Sequence, residues 1–230
     1  PVVIDPVLNG TFAHEAVGHS CEADLVLNDS SILGNKIGVK IGSDIVNLYD
    51  DGTLDEWGYI PFDSEGTLSH NTPLIKEGIL VGFMHNRETA SAFKTEPTGN
   101  GRAMTLSNKP IVRMTNTVIH AGDSSFEEMI SSIKHGYYLR GGAGGTVNTK
   151  IGEFIFNSKD GYLIENGELK KRIKSVSLMG NILDILKNIS LVAKDYGPSP
   201  GFCGKLGQYV PVSARCPYIK IDSATVGGKQ

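Results

Sequence analysis

The stretch Phe154-Ile-Phe-Asn-Ser-Lys-Asp160-Gly161-Tyr-Leu-Ile-Glu-Asn166-Gly167-Glu-Leu169 sets the reading of the fold. Short runs of β-branched and aromatic residues are separated by polar ones, and two dipeptides, Asp160-Gly161 and Asn166-Gly167, carry the chemistry of tight hairpin turns. Phe154–Phe156, Tyr162–Ile164 and the run from Leu169 to Leu178 therefore read as an antiparallel meander. Upstream, Glu77-Gly78 between Leu74-Ile75-Lys76 and Ile79–Met84 gives a third hairpin signal. Lys40-Ile41 through Val46-Leu48 also reads as strand, closed by a turn at Asp50-Asp51-Gly52. Helical patterns are few and short: Arg87 to Phe93, Ser124 to Lys134, and Asn181 to about Leu186. The glycine-rich Gly141–Gly145 lacks the lysine and following helix of a phosphate cradle and reads as close backbone approach or a broad turn.

One longer helix is expected near the start, from a Thr11 cap to about Leu27. It carries His14-Glu15-Ala16-Val17-Gly18-His19. Two imidazoles this close can share one Zn²⁺, and the glutamate stands where a general base would be needed. The familiar zinc-peptidase spacing is HExxH, whereas this chain reads HExxxH. Residues four apart on an α-helix lie about 40° apart around its axis, but residues five apart about 140°. Both rings reach one metal only if the turn widens, as in a π-bulge, or the helix breaks. Gly18 is the residue type that would allow either. The fold class is thus α+β: a β-rich, largely antiparallel sheet with one active-site helix near the start and short peripheral helices.

Two histidines leave zinc short of a third protein ligand. Cys21, Glu22, Asp24, the remaining histidines (His70, His85, His120, His135), Cys203 and Cys216 are the candidates. Cys203 lies in Gly201-Phe-Cys-Gly-Lys-Leu-Gly-Gln208, a loop whose flexible backbone would bring the thiol in, with Lys205 favouring the thiolate. Arg102, Asn116 and Tyr138 are polar residues that could supply an oxyanion donor, though each more often serves structure.

Composition narrows the function classes. The 230 residues are 40% hydrophobic, enough for a sizeable core, and the net charge of −3 argues against a nucleic-acid or membrane-surface binder working through bulk charge. Lys170-Lys171-Arg172-Ile173-Lys174 reads as a solvated strand face. No apolar stretch approaches the length of a membrane span. Three cysteines without a disulfide framework suit a reducing cytoplasm.

Several blocks, in order, resemble the TldD branch of the TldD/PmbA metallopeptidases: His14–His19 continuing into Glu22-Ala-Asp24, Thr98-Gly-Asn-Gly-Arg102, Arg113-Met-Thr-Asn116, Gly161–Gly167, the Cys203-Gly-Lys-Leu-Gly-Gln208 segment and Thr225-Val-Gly-Gly228. The resemblance runs from residue 1 to about 228. It implies a zinc peptidase in which His14, His19 and Cys203 bind the metal and Glu15 is the catalytic carboxylate. It also implies extended or unfolded peptides as substrates and pairing with a homologous TldE/PmbA-type subunit, which lacks HExxxH, or self-association. Residues 1–230 are expected to form a single C-terminal domain of a longer protein, because Pro1–Pro6 reads as mid-strand or loop. The alternatives are a non-catalytic binding module with a structural or empty metal site, and a regulator of a nucleic-acid enzyme, after the older gyrase-modulator description of the family. The acidic balance argues against direct nucleic-acid contact.

Overall fold

The computed structural model describes residues 1–174 and 176–228, the side chain of Pro198 excepted. Among these residues one sheet of twelve strands dominates. Its order is Thr225–Gly228, Val176–Asn181, Glu153–Glu165, His135–Asn148, Val2–Ile4, Gln208–Ile221, Asn116–Ile119, Leu48–Asp51, Asn71–Lys76 and Ile79–Leu80. Glu168–Lys174 adds to Glu153–Glu165, and Ile189–Lys205 to Gln208–Ile221. Every pairing is antiparallel except two: Val2–Ile4 on Tyr137–Leu139, and Asn116–Val118 on Ser213–Arg215. The expected β-rich, largely antiparallel α+β class is what the chain adopts.

Turn chemistry fixes the hairpins. Asn166-Gly167, Glu77-Gly78 and Leu206-Gly207 all hold positive φ (53° and 78°, 50° and 74°, 50° and 76°), the left-handed pair that matches the twist of the flanking strands. Asp160-Gly161 is different. Glu153–Glu165 is one continuous strand that alternates exposed and buried positions through Asp160. The Asp160 carboxylate accepts from Arg140 Nε and Nη2, each at 2.9 Å, and from Arg172. Gly161 is required by space: a Cβ there would lie 2.4 Å from the Tyr138 carbonyl oxygen on the adjacent strand. The dipeptide that looked like a turn is a clamp followed by a close strand approach.

Other local expectations shift for similar reasons. Gly141–Gly145 lies inside His135–Asn148, with a bulge between Gly142 and Gly145. A Cβ on Gly145 would meet the Ile155 carbonyl oxygen at 2.2 Å, so close backbone approach is the operative reading. Residues 41–47 are not strand; Ile41 and Val46 are buried from loop positions, and pairing starts at Leu48. The run from Leu169 to Leu178 divides into two strands, Glu168–Lys174 and Val176–Asn181, with Ser175 outside the described residues. The three peripheral helices occur at Arg87–Phe93, Phe126–Ser131 and Ile182–Asn188. Asn86, Ser125 and Asn181 cap them through their side chains.

The sheet's inner face and the N-terminal helix share one core, in which Phe12 packs on Phe154 (ring centroids 5.5 Å apart) and Phe154 on Phe156 (4.7 Å). The helix therefore lies across the sheet, held where its polar residues meet the far end of the Ile189–Lys205 strand. Gly161→Ala is expected to lower stability by about 1–3 kcal/mol through forced separation of two central strands. Gly201→Ala, whose methyl would meet nothing within 4 Å, should stay within about 0.5 kcal/mol. Urea unfolding of the two variants measures both.

Candidate metal centre

The helix begins earlier than its pattern suggests and ends earlier too. Asp5, not Thr11, is the N-cap: its Oδ1 accepts from Leu8 N at 2.8 Å and Pro6 occupies the first helical turn. The other Asp5 oxygen accepts from Gly141 N at 3.0 Å, tying the helix start to a central strand. After Pro6–Thr11 the backbone widens into a π-helix over Phe12–Gly18. There the His19 N–H donates to the His14 carbonyl, closing one wide turn between the two motif histidines themselves. Five residues then complete roughly one turn, so both rings share a face. Their centroids lie 5.2 Å apart, edge to face.

Gly18 serves this turn through space rather than through backbone freedom. A Cβ on it would stand 2.1 Å from the sulfur of Met114, itself fully buried. The helix breaks at Cys21, and Glu22 takes up extended backbone (φ −75°, ψ 118°) before a short second helix, Ala23–Leu27. The break is enforced from outside: Met84 N donates to Cys21 O and Ala23 N donates to Met84 O.

Cys203 arrives on a rigid strand end, not a flexible loop. It pairs with Val210 near the tip of the hairpin formed by Ile189–Lys205 and Gln208–Ile221. Arg113, with no exposed surface, clamps that tip by donating to the carbonyls of Cys203 and Gln208. Arg102 is buried beside it and donates to Met114 O at 2.6 Å. Cys203 Sγ stands 3.5 Å from His19 Nε2, and donor atoms of His14, His19 and Cys203 all lie within 4.8 Å of one another. Glu15, with a side chain 44% exposed, has Oε2 3.6 Å from His19 Nε2. His14, Glu15 and Phe202 line a cleft of about 120 Å³ that opens to solvent. Phe202 is itself exposed, with Trp57 edge-on at 6.0 Å.

Behind His19 stands a charged network. Its Nδ1 meets Glu22 Oε2 at 2.8 Å; Glu22 is fully buried and accepts from Lys205 Nζ at 3.0 Å. Lys205 also donates to both oxygens of Asp24 (2.7 and 2.8 Å) and to Val112 O. Lys205 thus faces the carboxylates, and the thiol is tuned otherwise. Burial alone would raise the Cys203 thiol, but the imidazoles of His14 and His19 outweigh it and bring it down to about 5. Burial alone would lower His19, and the Glu22 carboxylate raises it well above its ordinary value.

The structure brings together His14, Glu15, His19 and Cys203 and leaves the other candidates elsewhere. Cys21 and Cys216 are core residues whose thiols burial pushes up, that of Cys216 to about 12. His85 is held by Thr89 and lowered to about 4 by burial. Glu22 and Asp24 belong to the network behind the donors. Of the suggested oxyanion donors, Arg102 is committed to a carbonyl and Asn116 to Gly58 N, Asp51 O and Leu54 O. Tyr138 sits in an aromatic cluster with Phe126 and Tyr218. Sequence reasoning offered Glu22 only as a possible zinc ligand, not as the partner behind His19, and missed Arg113 as a builder of the site. The signal for Arg113 was membership of the short polar block Arg113–Asn116.

Whether the group implied by these donors fits can be judged from the donors themselves. Both ring nitrogens of His14 are buried without a hydrogen-bond partner. Buried polar atoms are nearly always satisfied, so one of these nitrogens is suited to a metal. An N, N, S donor set matches zinc.

Two expected outcomes follow from this geometry. Gly18→Ala should cost about 1–3 kcal/mol by overpacking against Met114, with part recovered in the double variant with Met114→Ala, both by thermal unfolding. In chelator-stripped protein, the ultraviolet thiolate absorbance lost in Cys203→Ser should titrate near pH 5. The thiol's folded value lies below its ordinary 9.0, so its contribution to stability is complete above that ordinary value and lost as pH falls through about 5. His19, raised, contributes with the opposite sign, fully below 6.5 and fading as pH climbs through its folded value.

The model of the PmbA/TldA metallopeptidase C-terminal domain matches residues 1–228. A metalloprotease of Methanocaldococcus jannaschii is 50% identical over 212 residues, 92% of this chain and 47% of that protein. A zinc metalloprotease TldD homolog of Saccharolobus solfataricus is 38% identical over 99% of this chain and 51% of its own length. The chain thus spans about half the length of these relatives. Among solved structures, TldE from Thermococcus kodakarensis superposes with a TM-score of 0.82 at 26% identity, covering 99% of this chain and 50% of its own. With a family model spanning nearly every residue and close metalloprotease relatives, the chain belongs to the PmbA/TldD metallopeptidase family, matching its C-terminal domain.

Proposed function

We propose that residues 1–230 form one domain, the metal-bearing C-terminal domain of a zinc-dependent peptidase. In this reading His14, His19 and Cys203 hold the metal and Glu15 handles the proton. The carrying observation is the convergence of three donors within 4.8 Å around a His14 ring whose buried nitrogens have no other partner. Three donors rather than four, among the described residues, fits a catalytic site with an open position better than a closed structural one.

When bound, zinc supplies Lewis acidity that acidifies water and polarises a carbonyl. Glu15, part exposed beside the cleft, takes the proton of the attacking water and returns it to the amine nitrogen as the C–N bond breaks. Hydroxide thus ends on the carbonyl carbon and the proton on the leaving amine. His19 is held in place for this by its ring hydrogen bond. Arg113 holds the thiol-bearing hairpin tip from beneath.

The substrates proposed are extended or unfolded peptides bound as an added strand. Supporting this, residues 196–205 pair with Gln208–Ile221 alone among the described strands, so a strand edge lies beside the cleft. Edges of this kind read backbone with little side-chain preference. Likeness to TldE supports pairing with a homologous TldE/PmbA-type subunit, or self-association. Three free thiols fit a reducing cytoplasm. No described helix is long and apolar enough to cross a membrane.

Elemental analysis is expected to find about one zinc per chain, lost in Cys203→Ser and in His19→Ala. Glu15→Ala should keep the zinc and lower peptide hydrolysis about 10²–10⁴-fold in the paired assembly. Undiminished turnover in that variant would remove Glu15 from its role. A full complement of zinc with no hydrolysis by any assembly would leave the binding-module reading instead.

A further inference from the structure

We infer that Glu22, fixed by Lys205, is a positioning residue for the metal centre: it holds the His19 ring with Nδ1–H turned away and Nε2 turned toward Cys203 and His14. The inference rests on the metal-centre reading above and adds to it residues outside the donor set.

A fully buried carboxylate needs a reason, because burial of an unpaired charge is strongly unfavourable. Glu22 has no exposed surface, and its backbone lies at the one point where the helix is interrupted. The hydrogen bonds of Met84 with Cys21 and Ala23 lock that interruption on both sides. The side chain therefore starts from fixed backbone and ends on two partners, His19 Nδ1 at 2.8 Å and Lys205 Nζ at 3.0 Å. With Nδ1 occupied by an acceptor-only carboxylate, the ring nitrogen free to bind a metal is Nε2. That nitrogen is the one 3.5 Å from Cys203 Sγ.

Lys205 makes this more than a local contact. It sits two residues after Cys203, and on a strand that spacing places both side chains on one face. Its ammonium spans Glu22, Asp24 and Val112 O with only 10% of the side chain exposed. The same residue thus balances the Glu22 charge and ties the thiol-bearing hairpin to the helix bearing the imidazoles. A carboxylate on the far nitrogen of a ligating histidine fixes its tautomer and ring orientation, and losing such a partner typically weakens metal binding 10- to 100-fold.

Competition with a chromophoric chelator on the 230-residue chain tests this for zinc. Glu22→Gln should still bind one zinc per chain, about 10- to 100-fold more weakly than wild type. Lys205→Met should fall in the same range, with Lys205→Arg closer to wild type because a cation still spans the carboxylates. In cobalt-loaded Glu22→Gln the thiolate-to-cobalt band should persist while the ligand-field bands shift. Histidine ¹⁵N spectra of zinc-loaded wild type, which need no variant to fold, should show His19 protonated at Nδ1 and metallated at Nε2. Zinc affinity of a folded Glu22→Gln within about threefold of wild type, against the 10- to 100-fold expected, would overturn the inference. So would metallation of His19 at Nδ1. If His19→Ala loses zinc while Glu22→Gln does not, this inference alone falls. Failure of wild type to bind zinc at all would overturn it together with the metal-centre reading.

Discussion

A single backbone hydrogen bond, from the His19 N–H to the His14 carbonyl, governs the geometry of the centre. An α-helix would send these two rings to different sides of its cylinder. The wide turn brings them to one side, and everything around the turn keeps it wide. Asp5 anchors the helix start to a central strand, Phe12 sinks into the aromatic core, and Met114 occupies the space above Gly18. A π turn is a poor local choice for a chain, which is why such turns concentrate at functional sites and need tertiary contacts to persist.

The opposite wall of the centre is built from buried charge. Arg113 has no exposed surface and donates from Nη1 and Nη2 to carbonyls at the hairpin tip, while Asp50 gathers Thr115 and Asn100 one layer behind. Networks of this kind are no more stable than an apolar core, yet they allow fewer arrangements. The proposed metal site, which would need three donors in register, gains from that restriction more than from extra cohesion.

Much of this was legible in the sequence. Asn166-Gly167 and Glu77-Gly78 announced their turns through the left-handed backbone they require, and the HExxxH spacing called for a widened turn or a broken helix, of which the chain takes the first. The illegible parts were decided by distant neighbours. Asp160-Gly161 has the composition of a turn, but Arg140, Arg172 and the Tyr138 carbonyl make it mid-strand. The helix pattern continues through Leu27, but Met84, more than sixty residues on, captures the backbone at Cys21 and Ala23. Lys205 next to a cysteine invites a direct charge effect, whereas Asp24 and Glu22 draw it away. For His14, His19 and Cys203, residue type and the family resemblance together named a set that the fold brings within reach of one another.

The placement of Val2–Ile4 bears on how the chain folds as well as on what it builds. This short strand is flanked by Tyr137–Leu139 on one side and Ile219–Ile221 on the other, so it is an interior strand whose neighbours are made more than a hundred residues later. During synthesis the segment that leads into the histidine helix must wait for both flanks before its backbone groups find partners. Pairings of such long range slow folding and leave apolar strands open to wrong partners meanwhile. The thiol, carried by the last long hairpin, comes up to the imidazoles as that hairpin pairs beside this strand. Any ion held between them would act as a lock on a completed fold, selecting finished chains from unfinished ones.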